Sequence, residues 1–311
     1  MHMSERGFLE LRGVSKNFGS KNVLDQISMN VPEGKIYGII GKSGCGKTTL
    51  LNVSIGFLKP SSGGVFYNGS NLQKVSKEVR KKFGFASQMY SFYPKLSVKE
   101  NLSYFGRLYG LSGNDIEERV GVLLDSFKLE GEEKTLGGNL SSGMKKRLDI
   151  ACAMIHDPVV LILDEPTADL DPSLRKEVLE LIKKINKSGT TIIITTHLLG
   201  EIEYLCDRVY LLHDKKLKDM GSPEHFNKEY AKEVKIRLKS KDYAKLLGSI
   251  QKSKINIQSA KTDGRDAVFS TKTPEELMHH IMSYSNRYKD KVEDISISRP
   301  SLDRLFGQLT K

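Results

Sequence analysis

The chain has 311 residues, of which 38% are hydrophobic and 28% charged, as in soluble globular proteins, and its formal net charge is +11. No apolar run approaches the roughly 18 residues that span a bilayer. Three scattered cysteines argue against a disulfide framework and for a reducing compartment. The basic charge is compatible with nucleic acid or an anionic membrane face, but the lysines form no tight cluster interleaved with aromatic residues. Residues 1–10 lack a signal-peptide core, which predicts a cytosolic location.

A glycine-rich run follows the first predicted strands. Residues 8–35 are typical of β-structure, and the apolar residues 36–40 predict a buried strand. The next eight residues fit the pattern G-x-x-x-x-G-K-[ST] at every fixed position, and a helix is predicted to start at Thr48. In this context backbone N–H groups surround phosphates, Lys47 reaches the β- and γ-phosphates and the Thr48 hydroxyl holds Mg²⁺. The predicted nucleotide-binding residues are Gly41, Lys42, Ser43, Gly44, Cys45, Gly46, Lys47, Thr48 and Thr49.

Strands and helices alternate along the following part of the chain. The helix after the glycine-rich run is predicted to end near Gly56, and residues 65–69 predict a strand that enters a tight turn. Residues 97–126 have helical spacing, and the wholly apolar run 159–163 predicts a strand buried on both faces. A helical stripe then stops before Gly189, and two further strands follow. The alternation predicts a doubly wound α/β core. The stripe residues are Leu174, Val178, Leu181, Ile182 and Ile185, and the further strands are residues 191–195 and 209–212.

The pattern changes after residues 221–223. The order of predicted elements there is β-α-β-β-α-β, which is that of a ferredoxin-like α+β unit. The strands are predicted at residues 234–238, 255–260, 267–271 and 292–298, the helices at 241–252 and 274–286, and a last helix at 301–309.

Two acidic residues end the strand predicted at 159–163. Asp164 at the carboxyl end of a buried strand is placed to hold the Mg²⁺ shell beside the glycine-rich loop. Glu165 is then placed to polarise a water molecule in line with the γ-phosphate. The alternative is an ordinary solvated turn.

With these motifs the chain resembles the ATP-binding subunit of an ATP-binding-cassette (ABC) transporter over residues 8 to about 220. The resemblance implies a P-loop NTPase cassette at 1–221, with a RecA-like core, a β-rich N-terminal part and a helical subdomain at about 89–145. Residues 222–311 would form the ferredoxin-like domain, either a regulatory or dimer-stabilising module or a passive extension. ATP and Mg²⁺ are the implied cofactors. Phe18 matches the residue that stacks on adenine, Gln88 the glutamine that contacts Mg²⁺ and the attacking water, and His197 the histidine that senses the γ-phosphate.

The run Leu140-Ser141-Ser142-Gly143-Met144 matches the family's signature, usually L-S-G-G-Q. In the family the signature faces ATP held by another subunit, so the resemblance implies a dimer, either of identical chains or with a paralogue. Met144 replaces Gln, as in type-two exporters of the drug-resistance and polysaccharide class, and Ser142 replaces Gly, where a Cβ restricts the backbone. Asp171 matches the D-loop and is also a candidate helix N-cap.

The function implied by the resemblance is ATP hydrolysis that powers transport, in the direction of export, through a separate transmembrane permease that docks near residues 90–101. The ending at 299–306 resembles that of type-two exporter ATPases. The chain would then lie at the cytoplasmic face of the membrane, with no specific nucleic-acid partner. Two alternatives stay open: a soluble ATP-driven clamp on nucleic acid or ribosomes, and an ATP switch for a membrane partner without transport.

Overall fold

The structure, a computed structural model, describes residues 8–74, 79, 81–230, 234–240, 243–253, 255–263, 266–271, 273–288 and 292–298. The chain divides into two compact units, Met1–Pro223 and Glu224–Lys311. In the described part of the chain, no helix is both long enough and apolar enough to span a bilayer. The predicted last helix at 301–309 and the exporter-like ending at 299–306 lie outside the described residues.

Two sheets form the framework of the first unit. The strands are β1 (Leu9–Phe18), β2 (Lys21–Val31), β3 (Ile36–Ile40), β4 (Ser62–Tyr67), β5 (Ser70–Asn71), β6 (Phe83–Ala86), β7 (Val160–Asp164), β8 (Thr191–Thr196), β9 (Arg208–His213) and β10 (Lys216–Gly221). One sheet has the order β2-β1-β4-β5 and is antiparallel. The other has the order β10-β9-β3-β8-β7-β6 and is parallel except for β10. Every residue of β3, β7 and β8 is buried, as their apolar sequences predict.

The helices of the first unit are α1 (Lys47–Ser54), α2 (Val98–Tyr109), α3 (Gly113–Ser126), α4 (Ser142–Met154), α5 (Pro172–Lys187) and α6 (Leu199–Leu205), and α7 (Pro223–Tyr230) begins at the end of this unit. The helical pattern predicted at 97–126 is two helices, because Gly110 ends α2 in the left-handed conformation at φ 85°. Ser97 and Ser112 start α2 and α3 with capping boxes that use Glu100 and Asp115.

The predicted apolar stripe is present on α5, and its first residue is less buried than the others. Val178, Leu181, Ile182 and Ile185 are buried, but Leu174 is only half-buried. Leu174 lies in the first turn of α5 and points toward Gly143 of α4, where a Cβ built on the glycine would be 2.8 Å from a Leu174 methyl carbon. The first turn of α5 therefore contacts the signature helix.

The second unit has the predicted ferredoxin-like order. Its strands are β11 (Val234–Ser240), β12 (Ile257–Asp263), β13 (Asp266–Thr271) and β14 (Val292–Ser298), and its helices are α8 (Tyr243–Lys252) and α9 (Pro274–Tyr288). The sheet order is β12-β13-β11-β14, with antiparallel pairs throughout. Ile236, Leu238, Phe269, Leu277 and Ile281 form the centre of a separate hydrophobic core. The fold prediction of an α/β cassette with a small α+β domain is confirmed.

Candidate active site

The glycine-rich loop joins the buried strand β3 to the N-terminus of α1. Gly44 and Gly46 have φ values of 75° and 110°, in the left-handed region that favours glycine. Gly46 is the N-cap of α1, and no side chain caps the first turn. The first N–H groups of this helix therefore remain available for an anionic ligand.

Lys47 is held at the mouth of this loop. Its ammonium donates hydrogen bonds to the carbonyl oxygens of Gly41 (3.0 Å) and Lys42 (3.3 Å). The same Nζ atom lies 3.2 Å from Oε1 of Glu165, and the side chain is 5% exposed. These contacts fix a cation inside the loop, at a position where phosphate oxygens would be neutralised.

Asp164, the last residue of β7, lies next to α1. Its Oδ2 atom accepts a hydrogen bond of 2.6 Å from the Thr48 hydroxyl, and its Oδ1 atom accepts one from the Thr195 hydroxyl. Asp164 is only 2% exposed. A hydroxyl and a carboxylate in contact are hard oxygen donors of the kind that Mg²⁺ prefers, and the exposed Gln88 lines the same cleft. The donor set fits a magnesium ion.

Glu165 adopts a left-handed backbone conformation, with φ 47°. Its N–H donates to the Thr195 backbone oxygen (3.1 Å) and hydroxyl (3.0 Å), which hold the bend at the end of β7. Oε2 lies 3.0 Å from Nδ1 of His197, while Oε1 faces Lys47. The carboxylate is thus oriented from both sides, and a strained non-glycine residue at this point is typical of a functional site.

An open cleft surrounds these groups. It is lined by Phe18, Lys21, Val23, Ser43, Gly44, Gly46, Lys47, Thr48, Thr49, Gln88 and Glu165. Phe18 is 49% exposed, as an aromatic ring available for stacking must be. Lys21 and Val23 belong to β2 and carry no motif, so no signal in the sequence marks them as cleft residues.

Gly41 and Cys45 of the glycine-rich loop pack closely against each other. A Cβ on Gly41 would lie 2.5 Å from the Cys45 sulfur, so the glycine is required by this close approach. Burial raises the pKa of the Cys45 thiol, in spite of the nearby Lys47. The thiolate population is therefore low at neutral pH, so Cys45 acts here as a small side chain that fits behind the loop and not as a reactive thiolate.

The signature residues 140–144 are not among the described residues that line the cleft. Ser141 is the N-cap of α4 and its hydroxyl accepts the N–H of Met144 at 3.3 Å. Ser141 and Ser142 are exposed, while Gly143 is buried. Ser142 is the first residue of the helix, and the described residues that line the cleft include none of the signature.

Asp171 caps the helix that follows the D-loop. Its Oδ1 atom accepts the N–H groups of Ser173 (2.9 Å) and Leu174 (3.0 Å), and Pro172 is the first residue of α5. The predicted N-cap is therefore present, and Asp171 itself is exposed.

Two buried carboxylates near the site were missed by the sequence analysis. Glu201 accepts hydrogen bonds from the hydroxyl of Thr167, two residues after Glu165, and from that of Thr196, directly before His197. Asp149 on α4 accepts the Ser91 N–H at 2.6 Å, three residues after Gln88. An isolated acidic residue within a helical pattern normally indicates a solvated face, so no sequence signal marked either one.

This P-loop fold, with its six-stranded sheet and acidic residues at the end of β7, defines an ATP-binding-cassette ATPase. A profile of the family "ABC transporter" matches residues 24–168. The "Nod factor export ATP-binding protein I" of Rhizobium leguminosarum bv. viciae is 33% identical over 97% of this chain and 94% of its own length. The "Linearmycin resistance ATP-binding protein LnrL" of Bacillus subtilis is 27% identical over 97% of this chain and 98% of its own.

A solved structure of an ATP-binding cassette is also similar to this chain. A dimeric ATP-binding cassette in a post-hydrolysis state, bound to ADP and Pi, has a TM-score of 0.62 and 26% identity, and the match covers 68% of this chain and 98% of that one. The chain belongs to the ABC transporter family, as the ATP-binding and ATP-hydrolysing component.

Proposed function

We propose that this chain is the ATPase subunit of an exporter: two cassettes close over ATP and drive substrate through a separate transmembrane permease. The observation that carries this proposal is the contact of Glu165 with both Lys47 and His197 at the edge of the cleft. The relatives named for Nod factor export and linearmycin resistance support the direction of transport. The net charge of +11 is the only observation that supports the alternative of an ATP-driven clamp on nucleic acid. No relative reported above is named for such a function.

ATP binding is assigned to the loop and the N-terminus of α1. The free N–H groups of the first helical turn and the buried Lys47 ammonium neutralise the phosphates, and Phe18 stacks on the adenine. Phosphate oxygens that enter the loop compete with Glu165 for Lys47. Binding therefore frees one oxygen of the Glu165 carboxylate for a water molecule.

Mg²⁺ is assigned to Thr48, Asp164 and Gln88, whose oxygen atoms fit it. When bound, the ion supplies positive charge beside the β- and γ-phosphates. Glu165 then orients and polarises the attacking water as general base, and His197 holds the carboxylate through its 3.0 Å contact. Lys47 stabilises the charge that develops on the transferred phosphoryl group.

A second cassette, identical or paralogous, completes each site in this proposal. Ser141 and Ser142 are exposed at the N-terminus of α4, whose helix dipole favours an anion. Their own cleft does not include them, so the γ-phosphate that they face belongs to the partner. The dimeric cassette with bound ADP and Pi supports this arrangement.

We place the docking site of the permease on a surface of exposed apolar side chains, which begins directly after Gln88 and continues onto α2. Its residues are Met89 (83% exposed), Tyr90, Tyr93, Tyr104 and Leu108. Exposed aromatic groups near one another mark an interaction surface. This surface includes part of the segment 90–101 and would place the chain at the cytoplasmic face of the membrane.

The experiment is to purify the chain from its native membrane together with any polytopic membrane protein that binds it, and to assay transport and ATPase activity of that complex in vesicles. Glu165→Gln is expected to bind ATP, to retain the complex and to stop both transport and phosphate release. Tyr104→Asp is expected to uncouple the complex while the ATPase activity of the isolated chain persists. Val122→Asp, at an exposed position on α3, is the matched control. The proposal is contradicted if Glu165→Gln releases phosphate at the normal rate, or if Tyr104→Asp leaves the transport rate unchanged.

A further inference from the structure

We infer that Glu201 is a positioning residue for hydrolysis, because it ties together the two chain segments that carry Glu165 and His197. The inference rests on the proposed function, from which it takes the roles of those two side chains. Glu201 lies in α6 and is only 4% exposed.

Each oxygen of the Glu201 carboxylate holds a different segment. Oε1 accepts a hydrogen bond of 2.5 Å from the hydroxyl of Thr167, and Oε2 accepts one of 2.7 Å from the hydroxyl of Thr196. Thr167 stands two residues after Glu165, and Thr196 immediately precedes His197. The carboxylate therefore bridges the same two segments whose side chains meet at the cleft.

The hydroxyl of Thr196 is used twice. It donates to Glu201 and accepts the N–H of Leu198 at 3.0 Å. The residues on both sides of His197 are thereby fixed, although the imidazole itself is 53% exposed. An exposed imidazole on an anchored backbone is held in reach of Glu165 by its backbone rather than by packing of the ring.

Arg175 extends the cluster toward the D-loop. Its Nε atom lies 3.6 Å from Oε1 of Glu201, and its Nη2 atom donates to the carbonyl oxygen of Leu170 at 3.1 Å. The guanidinium offsets the charge of the buried carboxylate, which would otherwise be costly to desolvate. It also connects the carboxylate to the loop that ends at Asp171.

A packing role alone does not account for a carboxylate here. The neighbouring buried positions of α6, Leu199 and Ile202, are apolar, and a third apolar residue would fill the space without desolvating a charge. The carboxylate adds two short hydrogen bonds, which set the distance between the segment that carries Glu165 and the segment that carries His197. Small errors in such a distance reduce turnover strongly, whereas binding of nucleotide by the glycine-rich loop is unaffected.

The experiment compares Glu201→Ala, Glu201→Gln and the control Glu203→Ala in the full chain. Glu203 is an exposed residue of the same helix. For Glu201→Ala we expect kcat to fall about tenfold or more, with nucleotide affinity and KM within about twofold of the wild type. Glu201→Gln is expected to recover most of the kcat, since an amide can satisfy both hydroxyls. Glu203→Ala is expected to match the wild type. Equal losses of kcat, affinity and thermal stability in Glu201→Ala, without recovery by Gln, would show a merely structural role.

A double-mutant cycle with His197→Ala tests the route of the effect. If Glu201 acts through the Glu165–His197 pair, Glu201→Ala costs little further kcat once the imidazole is gone; additive losses overturn the inference. Thr196→Val, which removes the hydroxyl and keeps the shape, must reproduce the kcat loss even if Glu201→Ala does not fold. The Glu165→Gln variant distinguishes failure of the inference about Glu201 from failure of the proposed function. If Glu165→Gln is inert while both Glu201→Ala and Thr196→Val keep full kcat, the inference fails alone. If Glu165→Gln hydrolyses ATP normally, the proposed function fails.

Discussion

The Lys47 ammonium lies 3.2 Å from the Glu165 carboxylate, although the two residues are 118 positions apart in the sequence. Both side chains are largely removed from water, where opposite charges interact more strongly than at the surface. The contact connects the loop assigned to phosphate binding with the residue assigned to water activation. Binding and hydrolysis are therefore expected to respond differently when either partner is changed.

Lys47→Ala should abolish tight ATP binding. The change removes the buried cation of the loop, and we expect the affinity for ATP to fall by on the order of 100-fold, that is, by about 2–3 kcal/mol. Equilibrium binding of a fluorescent ATP analogue in the presence of magnesium measures it. Lys59→Ala, at an exposed position outside the glycine-rich loop and the cleft, is the control and should match the wild type. Equal affinity of Lys47→Ala and the wild type would refute the assignment of the site.

The sequence could predict the parts of the site that depend on local chain geometry. The loop from Gly41 to Thr48 lies between a fully apolar strand and a helix start, so its conformation follows from glycine placement and helix termini. Lys21 and Val23 could not be found in this way, because they reach the cleft only through the pairing of β1 with β2. Glu201 and Asp149 are buried by residues distant in sequence, and their helical positions alone favour solvent.

Asp149 makes a pH-dependent contribution to stability. Burial is the main cause that raises the pKa of Asp149 from its ordinary value to about 6. The folded state thus binds a proton that the unfolded state releases, and stability falls as pH rises from about 4 to about 6. Asp149→Asn removes this slope. The free energy of unfolding of Asp149→Asn minus that of the wild type should therefore increase by on the order of 2 kcal/mol across this window and stay constant above it.

Urea unfolding between pH 4 and 8 measures that difference. Asp149→Asn keeps an oxygen that can accept the Ser91 N–H, whereas Asp149→Leu leaves that N–H unpaired. The Leu variant is accordingly expected to lose about 1–3 kcal/mol relative to the Asn variant at every pH. A difference between Asn variant and wild type that is independent of pH would contradict the burial argument.

His156 should produce a slope of the opposite sign. Its ring stacks on Tyr109 with 3.5 Å between centroids, and burial lowers its pKa to about 4. The unfolded chain takes up a proton below about pH 6.5, and the folded chain resists it down to about 4. Stability from this group is thus complete above pH 6.5 and is lost as pH falls through that window. His156→Phe keeps a stacking ring and removes the titration.

The comparison of His156→Phe with the wild type isolates this group from Asp149. The wild type should lose on the order of 2 kcal/mol relative to the Phe variant between pH 6.5 and 4. Loss of the hydrogen bond between Nε2 and the Phe83 carbonyl oxygen adds a cost that does not vary with pH. Parallel pH profiles of the two proteins would show that the imidazole titrates normally in the folded state.

Removal of the C-terminal unit should separate nucleotide binding from dimerisation. The two units have separate hydrophobic cores, so a chain that ends at Pro223, the last residue of the first unit, is expected to fold and to bind ATP within about twofold of the full chain. If the ferredoxin-like unit stabilises the dimer or regulates it, the ATP-dependent dimer of the Glu165→Gln variant weakens when this unit is removed, and kcat of the otherwise wild-type chain changes. Sedimentation velocity with ATP and steady-state phosphate release measure the two effects. A shortened chain that dimerises and hydrolyses ATP like the full one would identify residues 224–311 as a passive extension, because neither the closing of two cassettes nor turnover would then depend on them.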